Sequence, residues 1–358
     1  MELETRNTAA ATAKRKPTDV HSSMLSNRTL LISQSFHRIL WARGSFHRML
    51  NPLRLEVGPT LVSLLALSRP AIRMAAPEID WQDGVVVSNE AVAESKATRQ
   101  LSIRATTPLE YKPGHILGLG FSHDGADLKG PYTVTRSSDS QLDVVYRIIP
   151  DGRKTPLMAS MEAGAAVRFG GKFGTPIEDG IALGVDRVVG IATGAGLAPL
   201  VGYAERALRN ADGPRIELFG GFASLADVCC AKELDALAEA HPRKFSWTAC
   251  ISKPMACTAV NLMTSVGGAR ASGRVTRSVP PLLRTTRDTH FHLIGNGAFV
   301  KEFKAGCLEA GVPEERVTTE IYFNGKAEPD PDVVSLVACG LRKLDAQVGP
   351  EVALVSMG

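Results

Sequence analysis

Ile191-Ala192-Thr193-Gly194-Ala195-Gly196-Leu197-Ala198-Pro199 follows the apolar run Val185 to Ile191 and precedes a helical stretch from Leu200 to Leu208. A short apolar strand, a glycine turn and a helix together make a place where unpaired backbone N–H groups and the positive helix end hold a phosphate. Glycine suits such a turn because a side chain would block the backbone's approach to its ligand. Gly194, Gly196 and Pro199 do not have the Gly-x-Gly-x-x-Gly spacing, so the meaning of the turn depends on what stands on either side of it.

On the C-terminal side, strand-like and helix-like runs alternate. Val185–Ile191, Leu200–Arg209, Ile216–Phe219, Leu225–Ala240, Phe245–Ile251, His290–Ile294, Ala298–Ala310 and Thr318–Phe323 follow one another in that texture. Such alternation predicts a Rossmann-like α/β domain, a parallel sheet covered by helices on both faces. On the N-terminal side the runs are short and β-like: Val85–Val87, Gln100–Ala105, Ile116–Leu119, Tyr132–Thr135, Leu142–Ile149 and Ala166–Phe169. Turn formers such as Lys112-Pro113-Gly114, His123-Asp124-Gly125 and Asp151-Gly152 separate them, which predicts an antiparallel β-barrel with one helical insertion at Thr155–Met161. The expected division is a leader over 1–78, a barrel over 79–180, a nucleotide-binding domain over 181–325 and an extension over 326–358. In that extension, Val333 to Leu344 reads as a helix.

A chain of 358 residues with 44% hydrophobic content is long enough to bury two ordinary cores. No apolar run approaches the ~18 residues of a membrane helix, so no integral membrane segment is expected. The net charge of +4 is unevenly placed: residues 1–75 hold eleven Lys and Arg against four acids, a local +7 that leaves −3 for the remainder. A slightly acidic body gives no footing for nucleic acid, whose binding rests on phosphate neutralisation. Cys229, Cys230, Cys250, Cys257, Cys307 and Cys339 lack Cys-x-x-Cys spacing, so they read as reduced buried thiols, with no metal site.

The turn at Thr193–Pro199 resembles the G-T-G-I-A-P nucleotide turn of the ferredoxin–NADP reductase superfamily, whose members couple a flavin to a nicotinamide. Further motifs of that family stand in order around it. Pro131-Tyr132-Thr133 resembles the end of the R-P-Y-S flavin motif, with Gly130 in place of its arginine, and Lys129 or Arg136 stands near enough in sequence to replace that cation. Tyr132 offers a ring to cover the isoalloxazine, and the Thr133 hydroxyl a hydrogen bond to flavin N5. Asp151 to Met161 resembles G-G-K-M-S-Q-Y-L-E-S-M of the cytochrome b5 reductase branch, with Thr155 as helix cap and diphosphate ligand together. Ser252-Lys253 stands where NADP-specific members grip the 2′-phosphate. Gly273 to Thr276 resembles G-x-V-T, and Ile294 to Val300 resembles C-G-N-x-x-M-V with Ile294 and Phe299 in place of Cys and Met. Glu320-Ile321-Tyr322-Phe323 resembles the terminal E-x-Y, beyond which this chain continues.

The resemblance implies a flavin-dependent NAD(P)H oxidoreductase that passes electrons on to a one-electron carrier such as ferredoxin. It implies FAD against Lys129, Pro131, Tyr132, Thr133, Arg147, Gly152, Lys154 and Thr155. NADPH or NADH would lie against Thr193, Gly194, Ala195, Gly196, Pro199, Ser252, Lys253, Gly295, Asn296 and Gly297, with Thr133, Glu320 and Tyr322 at the reacting centre. Two other readings stay open: an NADH-using reductase or diaphorase of the cytochrome b5 reductase type, and a non-catalytic nucleotide-binding relic suggested by Gly130 and Ile294. The basic, serine-rich stretch from Arg28 to Arg73 has the composition of an organelle transit peptide. Its Arg-bearing amphipathic pattern suits a mitochondrion, while the plant-type motifs favour a plastid, the compartment expected here.

Overall fold

The computed structural model describes residues 79–347 apart from Asp124 and residues 254–267. The expected transit peptide, Cys257 and the last part of the extension lie outside the described residues. The first six strands are β1 (Trp81–Ala91), β2 (Thr98–Ala105), β3 (Ile116–His123), β4 (Ala126–Ser137), β5 (Gln141–Arg147) and β6 (Ala166–Phe173). They form a closed antiparallel barrel in the order β1-β2-β5-β4-β3-β6. Leu101, Ile103, Leu117, Leu119, Val134, Leu142, Val144 and Phe169 fill its interior. The sequence pattern placed only Val85–Val87 in the first strand. β1 is longer at both ends because Trp81 to Gly84 pair with β6, with the Trp81 ring reaching over Gly118 and Gly120 of β3 beyond it, and because Ser88, Asn89 and Glu90 pair with β2 without any apolar alternation. A five-residue helix, α1 (Thr155–Ala159), lies between β5 and β6, and α2 (Ile177–Gly180) follows the barrel.

The second half is a parallel sheet of β7 (Arg187–Thr193), β8 (Arg215–Phe222), β9 (Phe245–Ile251), β10 (Ala269–Ser272), β11 (Thr289–Asn296) and β12 (Val317–Phe323). The strand order is β10-β9-β8-β7-β11-β12. Successive side chains of a strand point to opposite faces. In β7, therefore, Val188 and Ala192 join α3 (Leu197–Ala207) and α4 (Ala231–Ala240) in one core, while Val189 and Ile191 join α5 (Val275–Ser278), α6 (Gly297–Glu309) and α7 (Pro331–Gln347) in another. The helix expected over Leu225–Ala240 is broken. A single 3-10 turn spans Leu225–Asp227, and α4 begins only after Cys230, whose φ of 58° no continuous right-handed helix admits. Val337, Leu341 and Leu344, at helical spacing, seat α7 in the second core. Cys229, Cys230, Cys250 and Cys307 are buried free thiols and Cys339 is exposed. Among the described residues no helix is long and apolar enough to cross a membrane.

Barrel and sheet meet along β4 and α3. A Cβ on Gly202 of α3 would lie 2.9 Å from the carbonyl carbon of Thr135 and closer still to its oxygen, so only glycine lets the helix seat on the strand. One turn further on, Glu205 accepts two hydrogen bonds of 2.6 Å from the Arg136 guanidinium. The loop after β1 adds main-chain bonds to the 3-10 turn before α4, with Ser95 N donating to Ala226 O at 2.7 Å and Cys230 N to Val92 O at 3.0 Å. Ala93, Val145 and Ile177 extend the apolar cluster of α3 and α4 across the junction.

A buried histidine pair underlies β11. Ala182 N donates to His290 Nδ1, and both His290 Nε2 and His292 Nδ1 lie 2.8 Å from Thr318 Oγ1. An accepting Nδ1 puts the proton of His290 on Nε2, so Thr318 accepts from His290 and donates to His292. Burial pushes His290 down to about 4, helped by Arg316, and His292 down to about 3, helped by His290. Both rings are neutral in the fold and titrate near 6.5 when unfolded, so the unfolded chain takes up more protons as pH falls. Stability is complete above about pH 6.5 and is lost as pH falls toward 4, by about 2 kcal/mol per ring at pH 5. Urea unfolding at pH 7 and pH 5 should show this loss, and His292→Leu should remove roughly half of the pH dependence. An unchanged pH dependence in that variant would exclude His292 as its source.

Candidate active site at the barrel–sheet junction

The strand order of the sheet reverses between β7 and β11, which leaves a crevice beyond the carboxyl ends of those two strands, the usual ligand site of a doubly wound sheet. Gly194 to Gly196 form one 3-10 turn that runs directly into α3, so α3 begins three residues earlier than the Leu200 start the sequence pattern indicated and the turn carries helical structure three residues further back. Gly194 has φ of +58°, and nothing lies within 4 Å of where its Cβ would be, so the turn presents an open face. Across the crevice, Gly295 has φ of +131° and its Cβ would overlap Thr193 Oγ1. That hydroxyl accepts from Asn296 N at 2.9 Å, while Asn296 Oδ1 caps α6 by accepting from Ala298 N. Thr193 and Asn296 thus lock the two loops together, with Gly194 facing open space, Ala195 packed against the α3–α4 core and Gly297 buried against the main chain of Asn324 and Gly325. Pro199 is buried in the first turn of α3, where its missing N–H costs no hydrogen bond.

The barrel supplies the other wall. Thr133 of β4 donates to Glu320 of β12 at 2.6 Å, and Glu320 is in register with Ile294, the residue before Gly295. One hydrogen bond therefore brings the flavin-motif strand to the carboxyl edge of the sheet. Tyr132 donates to Met158 Sδ at 2.9 Å, and burial pushes its hydroxyl up to about 12, so the ring is held in one orientation and stays protonated at neutral pH. Ile294 and Phe299, the departures from the family's Cys and Met, are buried in the two cores beneath the site.

Several candidate residues have other partners. Arg136 is committed to Glu205, which removes it as the replacement for the motif arginine at Gly130. Lys129 Nζ lies 5.4 Å from the centre of the Trp81 ring and 3.8 Å from Asp127. Thr155 does not cap a helix: its hydroxyl accepts from Ile149 N at 2.8 Å, the N-cap position is Lys154, and Pro156 removes one of the first-turn N–H groups. Arg147 reaches across the junction to Asp227 at 3.8 Å. The Ser252 hydroxyl donates to Phe222 O at 3.2 Å, which leaves Lys253 as the cation at the end of β9. Tyr322 packs against the α3–α4 core, whereas Phe323 is 57% exposed. Sequence reasoning passed over Gly202, although a glycine inside a helix costs about 1 kcal/mol and so signals a close approach.

The family described as the oxidoreductase NAD-binding domain matches residues 191–264. Over 255 residues the chain is 24% identical to the ferredoxin–NAD(P)+ reductase component of the naphthalene 1,2-dioxygenase system of Pseudomonas putida, covering 70% of this chain and 73% of that one. It is 30% identical over 155 residues to the reductase subunit of an aromatic O-demethylase of Amycolatopsis sp., covering 41% of this chain and 45% of that relative. The fold matches the crystal structure of a ferredoxin–NADP+ reductase from Neisseria gonorrhoeae with bound FAD and NADP, with TM-score 0.56 and 18% identity over 69% of this chain and 100% of that one. The chain thus carries a match to the oxidoreductase NAD-binding domain over residues 191–264 on a fold like that of ferredoxin–NADP+ reductase structures. A flavin on the barrel and a nicotinamide nucleotide at the sheet edge would both meet fitting residues here. The held Tyr132 ring stands on the barrel side and the open Gly194 turn on the sheet side, whereas the Thr133 hydroxyl gives its one hydrogen to Glu320 and in this arrangement can accept a hydrogen bond but not donate one to flavin N5.

Proposed function

We propose that the chain is a flavin-dependent NAD(P)H oxidoreductase that takes hydride from NADPH or NADH and releases electrons to a one-electron carrier protein. The observation that carries this reading is the Thr133–Glu320 hydrogen bond, which sets the barrel strand against the switch-point crevice. FAD, when bound, supplies the change from two-electron to one-electron chemistry. The chain's own residues supply the geometry. Gly194 to Gly196 and the start of α3 offer N–H groups to a nucleotide phosphate, Gly295 to Gly297 border the nicotinamide side, and Thr133 and Glu320 hold a proton-bearing hydrogen bond where the two rings would meet.

The purified chain, reconstituted with FAD, should be yellow and should bleach on anaerobic addition of NADPH. A chain that stays colourless favours the non-catalytic relic. Lys253 at the end of β9 supports NADPH, since a cation on the 2′-phosphate is worth about tenfold in affinity. Lys253→Ala should therefore weaken NADPH about tenfold and leave NADH unchanged. Equal affinity changes for the two nucleotides would remove Lys253 from that role, and faster bleaching by NADH than by NADPH in the wild type would favour the cytochrome b5 reductase-like reading.

A further inference from the structure

We propose that Lys154 takes the place of the arginine missing at Gly130 and is the cation that holds the flavin's phosphates. The proposal rests on the flavin reading above and deepens it. A Cβ built on Gly130 would stand 2.8 Å from Lys154 Nζ and 3.4 Å from the Tyr132 ring, so the ammonium already occupies the space a side chain at position 130 would enter. Gly130 and Tyr132 are two positions apart on β4 and so share one face, about 7 Å apart along the strand. A five-carbon ribityl chain spans that distance, which sets the phosphates beside Lys154 when the ring system lies on Tyr132.

The ammonium is held in place by the barrel itself. Nζ donates to Lys129 O at 2.8 Å, and a lysine has three donors, two of which remain for an anion. Among the described residues no carboxylate pairs with Lys154, whereas Arg136 is taken by Glu205, and Lys129 stands beside Asp127 over Trp81. Of the three nearby cations, only Lys154 has its charge uncompensated and its stem anchored at the flavin face. The exchange is spatial: a side chain lost from β4 is replaced by one from the loop after β5, 24 positions later in the chain.

The test is flavin affinity of the full-length apoprotein, read by quenching of flavin fluorescence with FAD, FMN and riboflavin as probes. Lys154→Met, which keeps an unbranched stem, should raise the Kd for FAD about ten- to thirtyfold and leave riboflavin, which has no phosphate, unchanged. Adding Gly130→Arg to Lys154→Met should restore FAD affinity to within a fewfold of wild type, because the guanidinium returns to the vacated space. Unchanged FAD affinity in Lys154→Met, or an equal loss for FAD and riboflavin, overturns the proposal while the flavin reading stands. A wild-type chain that binds none of the three flavins overturns both.

Discussion

Gly202→Ala should lower the rate of flavin reduction by NADPH about a hundredfold while leaving FAD affinity at its wild-type value. The reason is local. A methyl at position 202 enters the carbonyl of Thr135, and main chain on both sides of the contact cannot swing away as a flexible side chain would. α3 must therefore lift from β4. The helix carries the nucleotide turn at its N-terminus, and β4 carries Tyr132 and Thr133, so the lift separates the two ring sites directly. A misplacement of about 1 Å is enough to cost a hundredfold in a reaction that depends on a near-attack geometry. Thermodynamic stability should change much less. Replacing a helical glycine by alanine gains about 1 kcal/mol of propensity, which offsets part of the 1–3 kcal/mol that overpacking typically costs, roughly. Stopped-flow reduction rates with a parallel thermal melt separate the two effects. A wild-type rate in a folded Gly202→Ala protein would show that the α3–β4 contact does not set the distance between the rings.

The contrast between Gly194 and Gly202 shows how far the fold could be read from the chain. Gly194 stands where an apolar strand ends and a helix begins, so its role is visible in the local pattern. Pro199 made the helix look as though it began at Leu200, but proline is tolerated in a first turn, and α3 starts at Leu197. The parallel strands were legible because burial on both faces gives continuous apolar runs such as Val188 to Ala192. β1 was less so, since half of it pairs through Ser88, Asn89 and Glu90 with no alternation to mark it. Gly202 belongs to a contact made 67 positions away in sequence, and such partners leave only indirect traces in the chain, here a glycine where a helix has no use for one. The same limit hid the second roles of the site residues. Thr193, Asn296 and Ser252 were read as ligand contacts, whereas each also spends a polar atom on holding a neighbouring loop or strand. Arg136 stood beside Lys129 as an open alternative for the missing flavin cation because Glu205, which α3 places opposite it, is distant in sequence.

Gly295→Ala should have the largest effect on nucleotide binding, raising the Kd for NADPH by ten- to a hundredfold or more, roughly, with FAD affinity unchanged. Two costs combine at this position. The φ of +131° is open to glycine and strained for alanine by about 1–3 kcal/mol. In addition, the new methyl would overlap Thr193 Oγ1 and lie 3.1 Å from both Thr193 N and Thr193 O, so the end of β7 cannot yield without moving the nucleotide turn that follows it. Displacing the hydroxyl leaves Asn296 N without its acceptor, and Asn296 in turn caps α6, so the disturbance reaches the start of that helix as well. Thr193→Ser keeps the hydroxyl and should bind NADPH almost as wild type, which separates loss of this lock from general damage to β7. Because the barrel is untouched, a titration with FAD serves as the internal control. Full NADPH affinity in a folded Gly295→Ala protein would mean that the nucleotide lies somewhere other than between the ends of β7 and β11.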